Sequence, residues 1–461
     1  MKKIWKAFLA TALALVLFSV TACGGKTDYD GTEVQGVTDT EILVGNTAGT
    51  SGTLMSIGGP FKAAMEAYFW YYNQPAKTPE EDMAVTGLAN GGGKGGYEGK
   101  KIRYIHYDDQ GVDTVTMTDK LINDDKVFAI VGHFGTDGVV ATLDDIKAKG
   151  IPMVYAASGV SALYNEEAKG YERAVMPVQP IYETEGRLML ARAVADTKDE
   201  ILYGLKATKV GVLNTSDDAG RGMKRGIEIQ AKEMGVSVEY QEASAASGTD
   251  YSAAVTALKN KGCDVVIVAT VAPFANVLKA MKAANFDAKV LTTYSNAGAQ
   301  TLADLATEGS ITVNRPVYYS GWVDNTSATG YVDYLKLCMI FQAYDLAHDI
   351  ALVENPYAPG VYLSAKALDA YAFAGYIAAD VFCQGLDRVK AADLELTWKN
   401  YVDQMESAEI VIPMGSGAKL DYSEGKRLGT TYLNLSKFDG TGAAAKVSDM
   451  MSLDDIVASM S

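Results

Sequence analysis

Residues 128–161 constrain this chain more than any other stretch. They read as an apolar strand (128–131), a turn rich in Gly and hydroxyls (132–138), an amphipathic helix (139–149) and a second strand (151–156). A crossover of this length forces the two strands to lie parallel, so their carboxyl ends share one edge of a sheet. Open α/β sheets bind ligands at that edge. Thr136 and Ser158 are therefore expected to meet across one crevice, each beside a glycine (Gly135, Gly159) that exposes backbone N–H groups to a polar ligand. The stretch reads as half of a binding cleft.

The same alternation runs through the chain. A strand at 42–46 leads into the turn 47–53, where plain turn chemistry explains Ser51 as well as ligand contact does. A helix at 60–73 follows, then a polar, Gly-rich insertion at 74–99, a strand at 101–107 and a helix at 113–124. The insertion holds Gly91-x-Gly93-x-x-Gly96, a formal dinucleotide fingerprint that follows no strand and opens no helix, so it is not read as one. A second array begins with a helix at 182–195 and continues through strands at 209–213, 237–241, 264–269 and 289–293, with helices at 220–234, 251–261 and 274–285 between them. Beyond it lie a strand-like run (308–319), helices at 331–352 and 365–383, a strand at 429–437 and a tail helix at 452–460.

At 461 residues the chain exceeds what one core supports. Two parallel sheets are favoured over one of eight or more strands. C-terminal elements of both kinds suggest that the chain returns to complete each lobe. The expected first lobe comprises 40–175 plus 318–408, and the second 176–317 plus 409–461.

Residues 1–22 carry Lys2, Lys3 and Lys6 ahead of an apolar run too short to span a bilayer, the pattern of a signal peptide. Val20-Thr21-Ala22-Cys23 resembles a bacterial lipobox, which makes Cys23 the expected lipidation site and lipid the expected membrane anchor. Residues 23–39 then read as a flexible tether. Loss of the three lysines takes the net charge from −16 to −19. Such an acidic body argues against nucleic acid as a partner. Of the remaining Cys263, Cys338 and Cys383, the latter two could pair, but small buried hydrophobes are the preferred reading.

Several landmarks together resemble the extracytoplasmic solute-binding proteins of the branched-chain amino acid type. They are the opening strand, hydroxyl turn and helix ending at Asn73; Tyr107-Asp108-Asp109; Val131-Gly132-His133 with the hydroxyl loop; Gly150-Ile151-Pro152 leading into Ala157-Ser158; and the strand 264–269. The resemblance covers nearly all of the mature chain. It implies an α/β fold of the type I periplasmic-binding-protein kind, with two Rossmann-like lobes joined by a multi-strand hinge. It also implies capture of a small amino-acid-like solute, delivery to an ABC transporter permease, an extracytoplasmic location and a monomeric state. The family's carboxylate-holding loops match Thr136 and Ala157 to Gly159, with Gly159 standing where the family carries threonine. Its first-turn aromatic falls near Ile57, and its acidic ammonium partner near Tyr294 or Ser295. Asp137 or Asp217 could supply that carboxylate instead. The expected ligand set is thus Ser51, Gly135, Thr136, Asp137, Ala157, Ser158, Gly159, Gln179, Asp217, Thr270, Tyr294 and Ser295, with no cofactor, metal or catalytic group.

A binding protein is favoured over an extracytoplasmic enzyme. The three histidines (His106, His133, His348) sit in no G-x-S-x-G or H-E-x-x-H context, and the pairs Asp108-Asp109 and Asp217-Asp218 read as solvated loop ends. His133 reads as a residue that supports the site through hydrogen bonds rather than a ligand contact. A ligand sensor on the same fold is the alternative function.

Overall fold

The computed structural model describes residues 29, 31, 34–51, 55–76, 93–196, 203–246, 248–271, 273–324, 329–341, 352–354, 362–364, 370–442 and 444–460. Cys23 and the signal segment lie outside the described residues, as do 77–92 of the insertion and His348.

The first lobe is built from β1 (Glu41–Ala48), α1 (Met55–Asn73), β2 (Lys101–Asp108), α2 (Thr114–Asp119, continued by one π-helical turn, Lys120–Asp124), β3 (Ala129–Phe134), α3 (Thr136–Lys149), β4 (Met153–Ala157) and β5 (Val175–Met176). Its sheet has the order β2-β1-β3-β4-β5 and every pairing is parallel. All six residues of β3 are buried, the near-continuous apolar pattern of a strand covered on both faces.

The chain then crosses over. α4 (Tyr182–Val194), β6 (Val210–Thr215), α5 (Asp218–Met234), β7 (Val238–Ala243), α6 (Ser252–Asn260), β8 (Val265–Ala269), α7 (Phe274–Ala283), β9 (Lys289–Thr292), α8 (Ala299–Thr307) and β10 (Val317–Gly321) follow. After α9 (Thr329–Phe341), the short hairpin β11 (Leu352–Glu354) and β12 (Tyr362–Ser364), α10 (Ala370–Ala391), α11 (Trp398–Glu406), β13 (Ile410–Val411) and β14 (Lys419–Leu420), the chain ends with β15 (Tyr432–Phe438), β16 (Ala445–Ser452) and α12 (Leu453–Ala458). The second sheet runs β16-β15-β10-β9-β8-β6-β7. Its β10-β9-β8-β6-β7 portion is parallel, and β15 and β16 add an antiparallel edge.

Three expectations change here. The expected boundary at 317/318 divides β10 between the lobes; all five of its residues pair with β15, and Val317, Tyr318 and Tyr319 also with β9, in the second sheet. Conversely Ile410, Ile412, Met414, Ala418 and Leu420 pack into the first-lobe core beside α10 and α11, so the return to the second lobe comes after them, near β15. The reason is a second amphipathic surface: α10 buries most of its length against α1, and the 410–420 hairpin covers what remains. The expected tether is also shorter than 23–39. Tyr29 is fully buried edge-on to Tyr171, and the Gln35 side-chain amide donates to the carbonyls of Ile122 (2.9 Å) and Val127 (3.1 Å). One aromatic ring and one amide dock residues that composition alone marks as loose.

Cys263, Cys338 and Cys383 are free and buried. Among the described residues no helix is long and apolar enough to cross a membrane.

Candidate functional site

The carboxyl ends of β1, β3 and β4 place Ser51, Gly135, Thr136, Ala157, Ser158 and Gly159 along one edge of the first sheet. Thr136 opens α3 and Ser158 follows β4, and their hydroxyl oxygens lie 3.0 Å apart. The crevice expected between them is therefore a direct contact. Ser158 Oγ also accepts the Val160 N–H at 3.2 Å, which pins its rotamer. Gly135 precedes the helix at φ +93°, a conformation that favours glycine, and leaves the first-turn N–H groups of α3 facing the same edge. Asp137 is exposed on that first turn.

Ser51 has another partner. Asp108 at the end of β2 accepts the Thr50 N–H at 2.9 Å and bonds the Ser51 hydroxyl and N–H, so the 49–51 turn is fastened to its neighbouring strand. These bonds hold the Asp108 carboxyl below its ordinary range. His133 is fully buried, with Nε2 2.7 Å from the Thr142 hydroxyl and Nδ1 3.3 Å from that of Thr47. Desolvation pushes its pKa down to about 4, so it is a neutral strut between β1, β3 and α3.

On the second lobe the expected residues divide. Asp217 is the N-cap of α5: its Oδ1 accepts the Gly220 N–H at 2.9 Å and the Thr215 hydroxyl at 2.7 Å. Thr270 is fully buried, its hydroxyl 3.0 Å from Thr215 Oγ1, whose own proton goes to Asp217, while its carbonyl takes the Asn296 amide. Both serve their own lobe. Tyr294 and Ser295 do sit on the loop after β9, with Ser295 exposed and Tyr294 half-buried. Gln179, on the crossing segment, accepts the Tyr155 hydroxyl at 2.8 Å.

Four residues of this region were not anticipated. Tyr155 lies in β4 at φ +64°, fully buried, and the β3–β4 register skips it together with Gly132, also at positive φ. A non-glycine residue held there costs roughly 1–3 kcal/mol, so the kink persists only because its surroundings impose it. Trp322, at the second crossing, has its ring centroid 6.2 Å from that of Tyr155 and 6.5 Å from that of Tyr294. Glu185, inside α4, is sealed from solvent and accepts Ser320 Oγ (2.6 Å), Thr293 Oγ1 (2.9 Å) and the Tyr294 N–H (3.3 Å). Desolvation raises its pKa against those three donors. Tyr182, the first residue of α4, donates its N–H to the Gly159 carbonyl at 2.8 Å, and its hydroxyl bonds Thr136. The available signal was position: Tyr182 and Trp322 flank the first two crossings between the lobes.

The lobes meet beside these groups, where the Ser161 N–H donates to Asp218 Oδ2 at 3.3 Å. The edge so formed offers neutral hydroxyls on the first-lobe side and aromatic rings on the other.

This two-lobed architecture defines a type I periplasmic-binding-protein fold. The chain belongs to the periplasmic binding protein family, whose model matches residues 41–433. In sequence it is 25% identical over 237 residues to an amino acid binding protein of Pseudomonas aeruginosa, covering 50% of this chain and 58% of that protein. It is 25% identical over 191 residues to the Leu/Ile/Val-binding protein of Escherichia coli, covering 40% and 48%. The chain thus spans about half the length of the relatives it matches. In structure it resembles an ABC transporter substrate-binding protein from Aeropyrum pernix (TM-score 0.64, 14% identity, 91% and 99% covered). It also resembles a branched-chain amino acid ABC transporter protein from Thermus thermophilus with bound valine (0.60, 16%, 90% and 97%) and a fatty acid ABC transporter substrate-binding protein from Thermomonospora curvata (0.60, 16%, 91% and 94%). At such identities the likeness shows the fold alone.

Proposed function

We propose that this chain is an extracytoplasmic solute-binding lipoprotein, anchored through Cys23, that captures a small polar solute between its lobes and hands it to an ABC importer. The solute is an amino acid or a related compound, in keeping with the names of the sequence relatives. The observation that carries this reading is the pair Thr136–Ser158, two hydroxyls 3.0 Å apart at the carboxyl edge of the first sheet. Closure follows from differential affinity, because a ligand touches both lobes only when they are shut. The expected action is binding and release without chemistry, by a monomer and without a cofactor.

A thermal-shift screen of the full chain against amino acids, amides, small peptides and aromatic acids tests it. A ligand that binds only the folded form raises the melting temperature with concentration. Absence of any shift across the panel at millimolar ligand would defeat the amino-acid-like assignment. Loss of membrane association in Cys23→Ala is the matching test of the anchor.

A further inference from the structure

We propose that Tyr182 is a specificity-determining residue of the cleft: its ring fills the place of a side chain at position 159, and its hydroxyl joins Thr136 and Ser158 in a three-hydroxyl donor set for a ligand carboxylate. The inference rests on the solute-binding reading above and deepens it.

The geometry is specific. A Cβ built on Gly159 would stand 2.9 Å from both Cδ1 and Cε1 of the Tyr182 ring, closer than real Cβ contacts come. From the opposite side, a Cβ on Gly222 of α5 would stand 2.9 Å from Tyr182 Cβ and 2.6 Å from Ser161 Oγ. The tyrosine is thus seated between two glycines, one from each lobe. Its backbone N–H is fastened to the Gly159 carbonyl at 2.8 Å, so the ring cannot leave without breaking that contact or turning its rotamer.

The chemistry follows from the donors. Three neutral hydroxyls in one chain each give one proton, and the chain can end on a ligand oxygen. Ser158 Oγ accepts from Val160, which leaves its own proton to give to Thr136 or to the ligand. The first-turn N–H groups of α3, a 14-residue helix, lie beside Thr136 and favour a negative partner. Because Tyr182 rides on the first helix of the second lobe while Thr136 and Ser158 belong to the first, the carboxylate is gripped fully only when the lobes are together.

The test is isothermal titration of the full chain in detergent with L-leucine, isocaproate and isocaproamide, for wild type, Tyr182→Phe, Gly159→Thr and Gly159→Thr/Tyr182→Ala. Wild type should bind at least one of the two carboxylates about tenfold or more tighter than the amide. Tyr182→Phe should weaken carboxylate binding by about 5- to 50-fold, leave the amide within about threefold and keep the wild-type melting temperature. Gly159→Thr should abolish measurable binding, and the double variant should recover to within about tenfold of wild type, since the new hydroxyl takes the place of the phenol. Wild-type carboxylate affinity in Tyr182→Phe, or a double variant no better than Gly159→Thr, overturns the inference while the solute-binding reading stands. Failure of the wild type to bind either carboxylate sinks the amino-acid-like reading, and this inference with it.

Discussion

The two lobes present the same kind of sheet edge, yet they treat their polar residues in opposite ways. On the first lobe Thr136 and Ser158 bond chiefly to each other and keep capacity for a further partner. On the second, Asp217 caps its helix and Thr270 is fully buried between Thr215 and Asn296. The difference lies in what stands next to each loop. α3 begins with glycine and needs no side-chain cap, whereas α5 begins with an aspartate whose carboxylate closes its first turn. A polar residue at a strand end is thus a ligand candidate only if its own helix does not claim it first.

The largest expected effect tests two first-lobe histidines, His133, which is fully buried, and His106, which is half-buried. His133 and His106 are both pushed down to about 4 by desolvation, so between that value and 6.5 the unfolded chain binds more protons than the folded one. Stability should be full above the unfolded pKa and fall as pH drops below it, by about 2 kcal/mol per histidine at pH 5. Urea titrations at pH 7 and pH 5 would measure this, and His133→Asn should remove about half of the difference. An unchanged midpoint would show that the two imidazoles are not held neutral by their surroundings.

Next comes the second lobe's counterpart, Glu185. Glu185→Ala leaves Ser320 Oγ, Thr293 Oγ1 and the Tyr294 N–H without their acceptor, and should cost about 3 kcal/mol in denaturant unfolding. Loss of ligand affinity without loss of stability would instead make Glu185 a ligand contact.

Smaller effects separate the two edges directly. Thr136→Val and Ser158→Ala should each weaken ligand binding by about 0.5–1.5 kcal/mol, measured by calorimetry, with little change in melting temperature. Wild-type affinity in the double variant would place the ligand elsewhere. Asp217→Ala should show the converse, losing about 1 kcal/mol of stability as an N-cap does. A hundredfold loss of affinity there would show that the second lobe presents a carboxylate after all.

Much of this was readable in one dimension. The alternation of apolar strands and amphipathic helices, the parallel direction of the strands and the meeting of Thr136 with Ser158 follow from periodicity and from the crossover rule, which act over some thirty residues. The boundaries around α3 moved by three residues at its start, because the Gly135 turn hands its polar residues to the helix. α8, α11 and β16 were missed, being short elements whose burial depends on distant partners.

What sequence alone determined, then, is the local order of elements and the sheet edge that carries Thr136 and Ser158, the edge proposed to hold a ligand. Tertiary structure decided which groups remain available there. The assignment of β10 to the second sheet, the docking of 410–420 on α10, the seating of Tyr182 between Gly159 and Gly222, and the sealing of Glu185 under the Tyr294 loop all join residues far apart in the chain. Such contacts are set by shape complementarity and by the satisfaction of buried polar groups, and neither leaves a periodic trace in the sequence.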